Sequence, residues 1–243
     1  GLFDERLWTA GGEAELIVRE PHSLRASLDW FDASCPNYTS LESQAALQFA
    51  GQAIARELVG DKVLDRNGLR LGLALDAPAG DRVRLDAALS SVWSRYPRQK
   101  VVNDAGQFDA ANREDLLTRV TLAARMPHEW NADLRALASL TLGAGFLSSS
   151  QNGYDASRGR FLARFYDYHE LALSPAVKIL AGSARAPVSV DLGVGWRRRS
   201  YLNRPAQDGT GAYGGNALVS TEWTLSGTLT YPIVKRFSLM FTL

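Results

Sequence analysis

Charged side chains recur at every second position along several stretches of this chain, and their types define the chemistry available to it. The basic members of the pattern are Arg25, Arg70, Arg82, Arg84, Arg119, Arg125, Arg135, Arg197 and Arg199, and the acidic members are Asp29, Asp76, Asp86, Asp115, Asp191 and Glu222. Guanidinium groups bind carboxylates and phosphates through two parallel hydrogen bonds. The set therefore predicts either a structural network of ion pairs or a basic lining that attracts anions.

Nucleophilic catalysis is not indicated by the remaining polar residues. Ser149 and Ser150 are adjacent, but the histidines at positions 22, 128 and 169 are far from them in sequence. A serine without a neighbouring base is a weak nucleophile. No spacing of ligands typical of a metal site is present, and the single cysteine excludes a thiolate cluster within the chain. We expect no catalytic residue, no metal and no cofactor.

The overall composition excludes two further classes. The chain of 243 residues has 27 basic and 26 acidic side chains, so it lacks the basic excess of a nucleic-acid-binding protein. It contains no run of 18 apolar residues, which excludes a transmembrane helix. A mean hydropathy of −0.15 is also typical of strands that have one apolar and one polar face.

Period-two alternation predicts strands along most of the chain. In 187–201, for example, the apolar side chains Val190, Leu192 and Val194 alternate with polar or small ones. Comparable runs occupy 24–30, 67–76, 82–96, 115–126, 134–147, 219–233 and 236–243, with a less regular run at 160–180 and a less certain one at 13–19. Several runs exceed the usual strand of about five or six residues and suffice to cross an apolar layer of about 25 Å.

The connections and the aromatic residues support the same architecture. Short connections at 78–81, 127–133, 182–187 and 232–235 alternate with long ones at 98–114, 148–159 and 198–217. Large aromatic side chains on the apolar face lie at the long-loop ends, namely Trp30, Trp93, Phe146, Trp196 and Trp223, whereas Tyr231 lies at a short-turn end. Aromatic residues at these levels are typical of the girdles found where a barrel crosses membrane interfaces.

With these features, residues 67–243 resemble the Gram-negative outer-membrane β-barrel class, including the closing run 231–239. Short stretches at 95–98, 112–115 and 152–155 give a weaker likeness to barrels that follow tetratricopeptide-repeat domains in exporters and surface-assembly proteins. The resemblance implies an all-β, antiparallel transmembrane barrel in the bacterial outer membrane. A soluble β-sandwich or lipocalin-like domain is the alternative fold.

One segment interrupts the alternation. Thr39 and Glu42 form a capping box, apolar residues follow at helical spacing, and Gly60 is placed to end a helix. We therefore expect a helix at 40–59 within a long external loop at 32–66, with an irregular strand as the alternative. The chain is expected to form a single barrel domain, 1–243, of about ten to twelve strands, lacking at least one closing strand.

The expected function is a pore or exporter. Its predicted lumen is lined by Arg82, Arg84, Asp86, Arg119, Arg125, Arg135, Asp191, Arg197, Arg199 and Glu222. The alternatives are a plugged barrel that binds a partner through its loops and a lipid-acting enzyme. Residues 149–153 resemble the external-edge motif of outer-membrane phospholipases, but the histidine that this family has two residues before its serine is absent.

The expected partners follow from this location. They are outer-membrane lipid and lipopolysaccharide, together with a protein partner or other subunits of an envelope complex; nucleic acid is not expected.

Overall fold

Alternating polar and apolar residues form long strands, as the period-two pattern predicts. The computed structural model describes residues 4–19, 22–36, 60–155, 158–182, 187–210, 212–234 and 237–242. Their strands are β1 Arg6–Arg19, β2 His22–Ser34, β3 Arg66–Ala79, β4 Val83–Val102, β5 Phe108–Asn131, β6 Leu134–Ser149, β7 Gly153–Asp155, β8 Arg160–Leu162, β9 Tyr168–Ala181, β10 Val188–Gln207, β11 Tyr213–Val234 and β12 Phe237–Thr242. The helix predicted at 40–59 lies outside the described residues. The described residues contain no helix that is long and apolar enough to cross a membrane.

Ten strands form one antiparallel sheet in the order β1-β2-β3-β4-β5-β6-β9-β10-β11-β12. Each strand pairs with its neighbour in sequence, except that the small β7-β8 hairpin is inserted between β6 and β9. The fold is therefore all-β, at the lower end of the expected ten to twelve strands. Within the described ranges β1 and β12 are the edges of the sheet and no register joins them, so the closed barrel that was predicted is not observed there.

The sheet has two chemically different faces. Cross-strand partners share a face, and one continuous row of partners runs through Leu24, Leu75, Ala87, Leu122, Leu142, Leu173 and Trp196. Most large apolar side chains of this face are exposed, with Leu122 at 52% and Leu142 at 47%. We call this side the apolar face and the opposite side, which carries the charged residues, the polar face.

Two of the connections predicted to be long are instead continuations of the strands. β4 extends to Val102 and β5 begins at Phe108, so only 103–107 remain between them, and β10 and β11 leave only 208–212. The registers shift between Tyr96 and Lys100 and between Ser200 and Pro205. Such bulges insert residues into one strand and break the period of two. The strands predicted from that period therefore end before the observed strands do.

Strand β9 is shorter than the predicted run at 160–180. Residues 160–162 belong to the separate β7-β8 hairpin, and β9 begins only at Tyr168. Pro175 lies within this inner strand, opposite Leu140 of β6. On the other side, the β9-β10 register passes from Ala176 directly to Leu173. Proline has no N–H to donate to a neighbouring strand, so the interruption falls where the sequence requires it.

Candidate pore lining, membrane face and loop cluster

The aromatic residues predicted to form a girdle lie on the apolar face of the sheet. Trp30, Trp93, Phe146 and Trp223 are 46%, 37%, 47% and 71% exposed, and Tyr231 is 53% exposed at the short-turn end. Trp196 is half-buried and is the direct cross-strand partner of Trp223. Trp8 and Trp130 are also exposed, although the sequence pattern did not assign them to the girdle. Trp8 precedes the run at 13–19, and Trp130 lies in a segment predicted to be a turn.

The aromatic residues at the long-loop end are displaced in one direction relative to the hydrogen-bonded rows. Trp30 and Trp93 lie on one row, joined through Leu69. The row through Phe146 meets β4 at Ser91, two residues from Trp93. The row through Trp196 meets β4 at Ala87, six residues from Trp93. The offset therefore grows in one direction from β2 to β11, as expected when strands are inclined to a common level of aromatic residues.

Ion pairs cover most of the polar face. The pairs that involve predicted lining residues are Arg84 with Asp76 at 2.7 Å, Arg125 with Asp86 at 2.5 Å, Lys178 with Asp191 at 3.3 Å, Arg199 with Glu170 at 2.6 Å, and Arg197 with Glu222. Each pair joins two neighbouring strands. The structural network that the sequence predicts as one alternative is thus present in the sheet.

Three guanidinium groups on the polar face have no acidic partner among the described residues: those of Arg70, Arg119 and Arg135. Arg70 lies 5.9 Å from the ring centroid of Phe31, and Arg119 is exposed. Asp29 is a carboxylate of this face for which no ion pair is described. Arg82 does not lie on the face, because it belongs to the exposed turn between β3 and β4. Glu129 of this face also has no described ion pair, and Glu13 and Glu15 share Arg25, so the unpaired charges of the two signs are similar in number.

Small residues form a recess beside Arg119. A cavity of about 160 Å³ is lined by Arg119, Gly143, Gly145, Glu170 and others. A Cβ atom at Gly145 would lie 3.5 Å from the Cβ of Glu170 and 3.6 Å from the Cγ of Arg119. Glycine therefore keeps the sheet surface open in front of an unpaired guanidinium group.

A buried polar cluster at the long-loop end joins β5 to the segment between β6 and β9. Arg113 pairs with Asp115 at 2.6 Å, and their side chains are only 15% and 10% exposed. The Ser149 hydroxyl donates a hydrogen bond to Asp115 at 2.6 Å, and the Ser149 amide donates one to Asp167 at 2.8 Å. Arg164 pairs with Asp167 at 3.1 Å. We call these five residues the loop anchor.

Burial and charge act together at the loop anchor. Desolvation alone would lower the pKa of the Arg113 guanidinium, but its hydrogen bond and attraction to Asp115 outweigh this and raise the pKa. The Arg113 guanidinium lies 4.6 Å from the ring centroid of Tyr96 and 5.3 Å from that of Tyr166. Burial and the negative charge of Asp115 raise the pKa of Tyr96. The cluster therefore holds a permanent cation beside a neutral phenol.

The segment at 150–167 packs against the extended part of β4. The Gln151 side chain accepts a hydrogen bond from the Val102 amide at 2.9 Å and donates one to the Lys100 carbonyl at 2.9 Å. Asn152 donates to the Val102 carbonyl at 2.7 Å. Phe161 is 2% exposed, and its amide reaches the Asp104 carbonyl at 3.4 Å. This long connection is therefore a folded element with its own core.

Ser149, Ser150, His128 and His169 are each engaged in contacts other than a serine–histidine pair. Ser149 donates to Asp115, and Ser150 accepts a hydrogen bond from the Glu114 amide at 2.8 Å. His128 packs on Trp130 at 4.7 Å and His169 on Phe146 at 5.2 Å, both as edge contacts between rings. Within the described part of the chain, no group of three or more His, Cys, Asp or Glu residues is arranged to hold a metal ion.

Comparison with known sequences identifies no relative of this chain. No model of a known protein family matches the chain, and no curated protein is detectably similar to it.

Proposed function

We propose that the ten-stranded sheet is the wall of a transmembrane β-barrel in a bacterial outer membrane, and that the barrel conducts small anionic solutes. The apolar face would contact lipid and the polar face would line a water-filled lumen. In this proposal the barrel closes across β1 and β12, either directly or through further strands.

The observation that carries the membrane proposal is the exposed apolar face bounded by aromatic residues. A soluble protein rarely exposes a large contiguous apolar patch, yet here leucine side chains are exposed on successive strands from β2 to β11. Trp130 and Tyr231 lie at the short-turn end, opposite the other aromatic residues. Two aromatic levels separated by an apolar band match the surface of an outer-membrane barrel.

The descending aromatic positions support inclined strands. The offset of six residues accumulates over the seven steps from β2 to β11. At about 3.3 Å per residue and about 4.8 Å per strand, this is roughly 20 Å along against roughly 34 Å across, an inclination of about 30°. Barrel strands are tilted by about 35–45° in membranes. The aromatic residues therefore approach one membrane level if the strands are tilted.

A hydrated lumen is supported by the side chains at mid-height on the polar face. Ser90 and its cross-strand partner Arg119 are exposed, whereas the buried residues concentrate at the long-loop end. A barrel whose interior is filled by side chains would bury such residues. Arg70 and Arg135 lie opposite the carboxylates Asp29 and Glu129, so Arg119, which has no carboxylate opposite it on either neighbouring strand, carries the proposed preference for anions.

The proposal is tested by single-channel conductance of the detergent-refolded protein in a planar bilayer, with reversal potentials measured in a salt gradient. A steady conductance with a reversal potential toward that of the anion supports an anion pore. A folded, heat-modifiable protein that inserts without conducting would show instead a plugged barrel that binds a partner. A protein that stays soluble and folded without detergent would contradict the membrane proposal itself.

A further inference from the structure

A second polar cavity lies beyond the aromatic level, between the extended ends of β10 and β11. It has a volume of about 140 Å³ and is lined by Arg158, Asn203, Arg204, Gly214, Gly215 and Asn216, among others. We call it the β10-β11 cleft. It is separate from the recess beside Arg119, and the proposed pore function does not use it.

A bulge in β11 forms one wall of the cleft. The register pairs Pro205 with Ala217 and then Gln207 with Tyr213, so residues 214–216 oppose Ala206 alone. A Cβ atom added at Gly215 would meet nothing within 4 Å, and one at Gly214 would meet only the Ala206 carbonyl at 3.7 Å. Bulges release backbone groups from the ladder, and glycine lets a ligand approach the backbone closely.

Arg204 lies beside two aromatic rings and has no described acidic partner. Its guanidinium group lies 5.4 Å from the ring centroid of Phe165 and 5.3 Å from that of Tyr201. Within the described residues it forms no ion pair. Aromatic contacts of this kind orient the guanidinium group without using all of its N–H donors.

Arg158 supplies a second cation whose other donors face the solvent. Its Nη1 lies 3.3 Å from Asp155, and its side chain is 56% exposed whereas that of Asp155 is fully buried. Other polar groups of these loops are already engaged. Asn203 donates to the Ala163 carbonyl at 2.8 Å, and Asp208 accepts hydrogen bonds from Thr210 and Ala212.

We infer that the β10-β11 cleft binds a phosphate group. A volume of about 140 Å³ holds roughly four or five waters, the space of one tetrahedral oxyanion with its shell. Two guanidinium groups and a bulged glycine backbone line the cleft, and their N–H donors suit a phosphate with several acceptor oxygens.

The position of the cleft favours a phosphate on a soluble molecule or on an extended saccharide over one in a lipid headgroup. Arg204 and Gly215 are each eight residues beyond the aromatic pair Trp196 and Trp223. Eight residues extend roughly 26 Å along a strand, whereas headgroups reach only about 5–8 Å beyond the apolar layer. This placement relative to lipid rests on the proposed membrane location, but the phosphate site itself does not.

The test is equilibrium dialysis of ³²P-orthophosphate against the full chain, folded in a phosphate-free detergent and with chloride as the competing anion. We expect saturable binding that R204A weakens at least roughly tenfold, as loss of a charge-assisted contact predicts. R204K keeps the charge but not the planar fork, and we expect it to weaken binding as well. R198A removes another exposed arginine outside the cleft and should leave binding unchanged. The heat-modifiable mobility of each variant checks that it is folded.

Three outcomes would overturn the inference: no saturable phosphate binding, equal loss in R198A and R204A, or full retention of binding in R204A. The same binding measurement is made in two nanodiscs that are otherwise identical. One contains diphosphoryl lipid A and the other contains dephosphorylated lipid A. If the cleft binds a phosphate above the membrane, labelled orthophosphate binds with the same affinity in both kinds of nanodisc. Displacement of orthophosphate by the diphosphoryl form alone would contradict the assignment to a phosphate outside the headgroup layer. Absence of conductance would affect the proposed pore and not this site.

Discussion

The Ser149 hydroxyl donates a hydrogen bond of 2.6 Å to Asp115, which ties the last residue of β6 to the first third of the extended β5. The neighbouring Ser149 amide reaches Asp167, just before β9. One serine therefore connects both ends of the segment at 150–167 to the wall of the sheet. Since Asp115 also binds Arg113, loss of this connection is expected to loosen the whole segment.

The first prediction concerns the S149A variant. Removal of the hydroxyl deletes a buried hydrogen bond, which costs roughly 1 kcal/mol of local stability. Local opening of the segment should then increase about fivefold. Limited trypsin digestion measures this, because Arg158, Arg160 and Arg164 lie in the segment and are exposed.

The matched control for this variant is S148A. Ser148 is adjacent to Ser149, and no side-chain hydrogen bond of Ser148 is described in the structure. We expect its cleavage rate to equal that of the wild type. Equal acceleration in both variants would show that Ser149 does not anchor the segment.

The second prediction concerns the pH dependence contributed by Tyr96. Its folded-state pKa is raised by burial and by the charge of Asp115, above the value of about 10 for an exposed phenol. The stabilisation by neutral Tyr96 is therefore complete below about pH 10 and is lost as the pH rises through the raised pKa. The free energy of unfolding should fall less steeply above pH 10 in Y96F than in the wild type.

Urea unfolding at pH 8 and above pH 10 measures this difference, and Y201F provides a control tyrosine substitution. Absorbance at 295 nm gives an independent check, because Y96F should remove one phenol from the latest part of the titration. Identical pH profiles of the wild type and Y96F would contradict the assignment.

The sequence predicts the strands well where apolar and polar residues alternate without interruption. The run at 115–126 lies within β5, the runs at 82–96 and 187–201 each begin one residue before β4 and β10, and their apolar side chains share one face. The alternation depends only on the identity of every second residue, so it is visible without tertiary information. It ends at bulges such as that between Tyr96 and Lys100, where the chain remains extended but changes phase.

The contacts within the candidate sites are harder to predict from the sequence than the strands are. Asp115 is identified as a charged residue of the polar face, but its partners Arg113 and Ser149 are not, because both lie just outside the predicted runs at 115–126 and 134–147, in segments that the sequence indicates to be connections. The β10-β11 cleft depends on a register shift that only the strand pairing reveals. Several charged residues that the alternation places on one face are paired in the structure, but which arginines lack a partner depends on side-chain geometry.

The third prediction concerns ion selectivity. Arg119 has no acidic partner in the described structure, so R119Q removes a free positive charge and should shift the reversal potential toward cations. Asp86 pairs with Arg125, so D86N releases a positive charge and should shift it toward anions. Planar-bilayer recordings in a salt gradient measure both shifts.

R198Q serves as the control for the selectivity measurement. Arg198 shares the apolar face with Trp196, two residues away along β10, so its charge does not line the proposed lumen. We expect a reversal potential close to that of the wild type. Shifts of the same sign in R119Q and D86N would contradict a lumen in which these side chains act through their charge.

The last prediction distinguishes the two faces of one strand. Leu122 lies on the apolar face of β5, about midway between Leu116, on the row of Trp93, and Trp130 at the other end. Arginine near the middle of a bilayer costs about 2–4 kcal/mol on a lipid-facing position of a barrel. L122R should therefore lower the free energy of unfolding in lipid vesicles by about this amount. T121R places the same side chain one residue away on the polar face, where water is available, and should cost much less. Urea titrations of folding into phosphatidylcholine vesicles, followed by heat-modifiable mobility, give both values. Because the two variants carry the same charge on the same strand, equal destabilisation would mean that the two faces meet the same environment, and the sheet would then not be the wall of a membrane barrel.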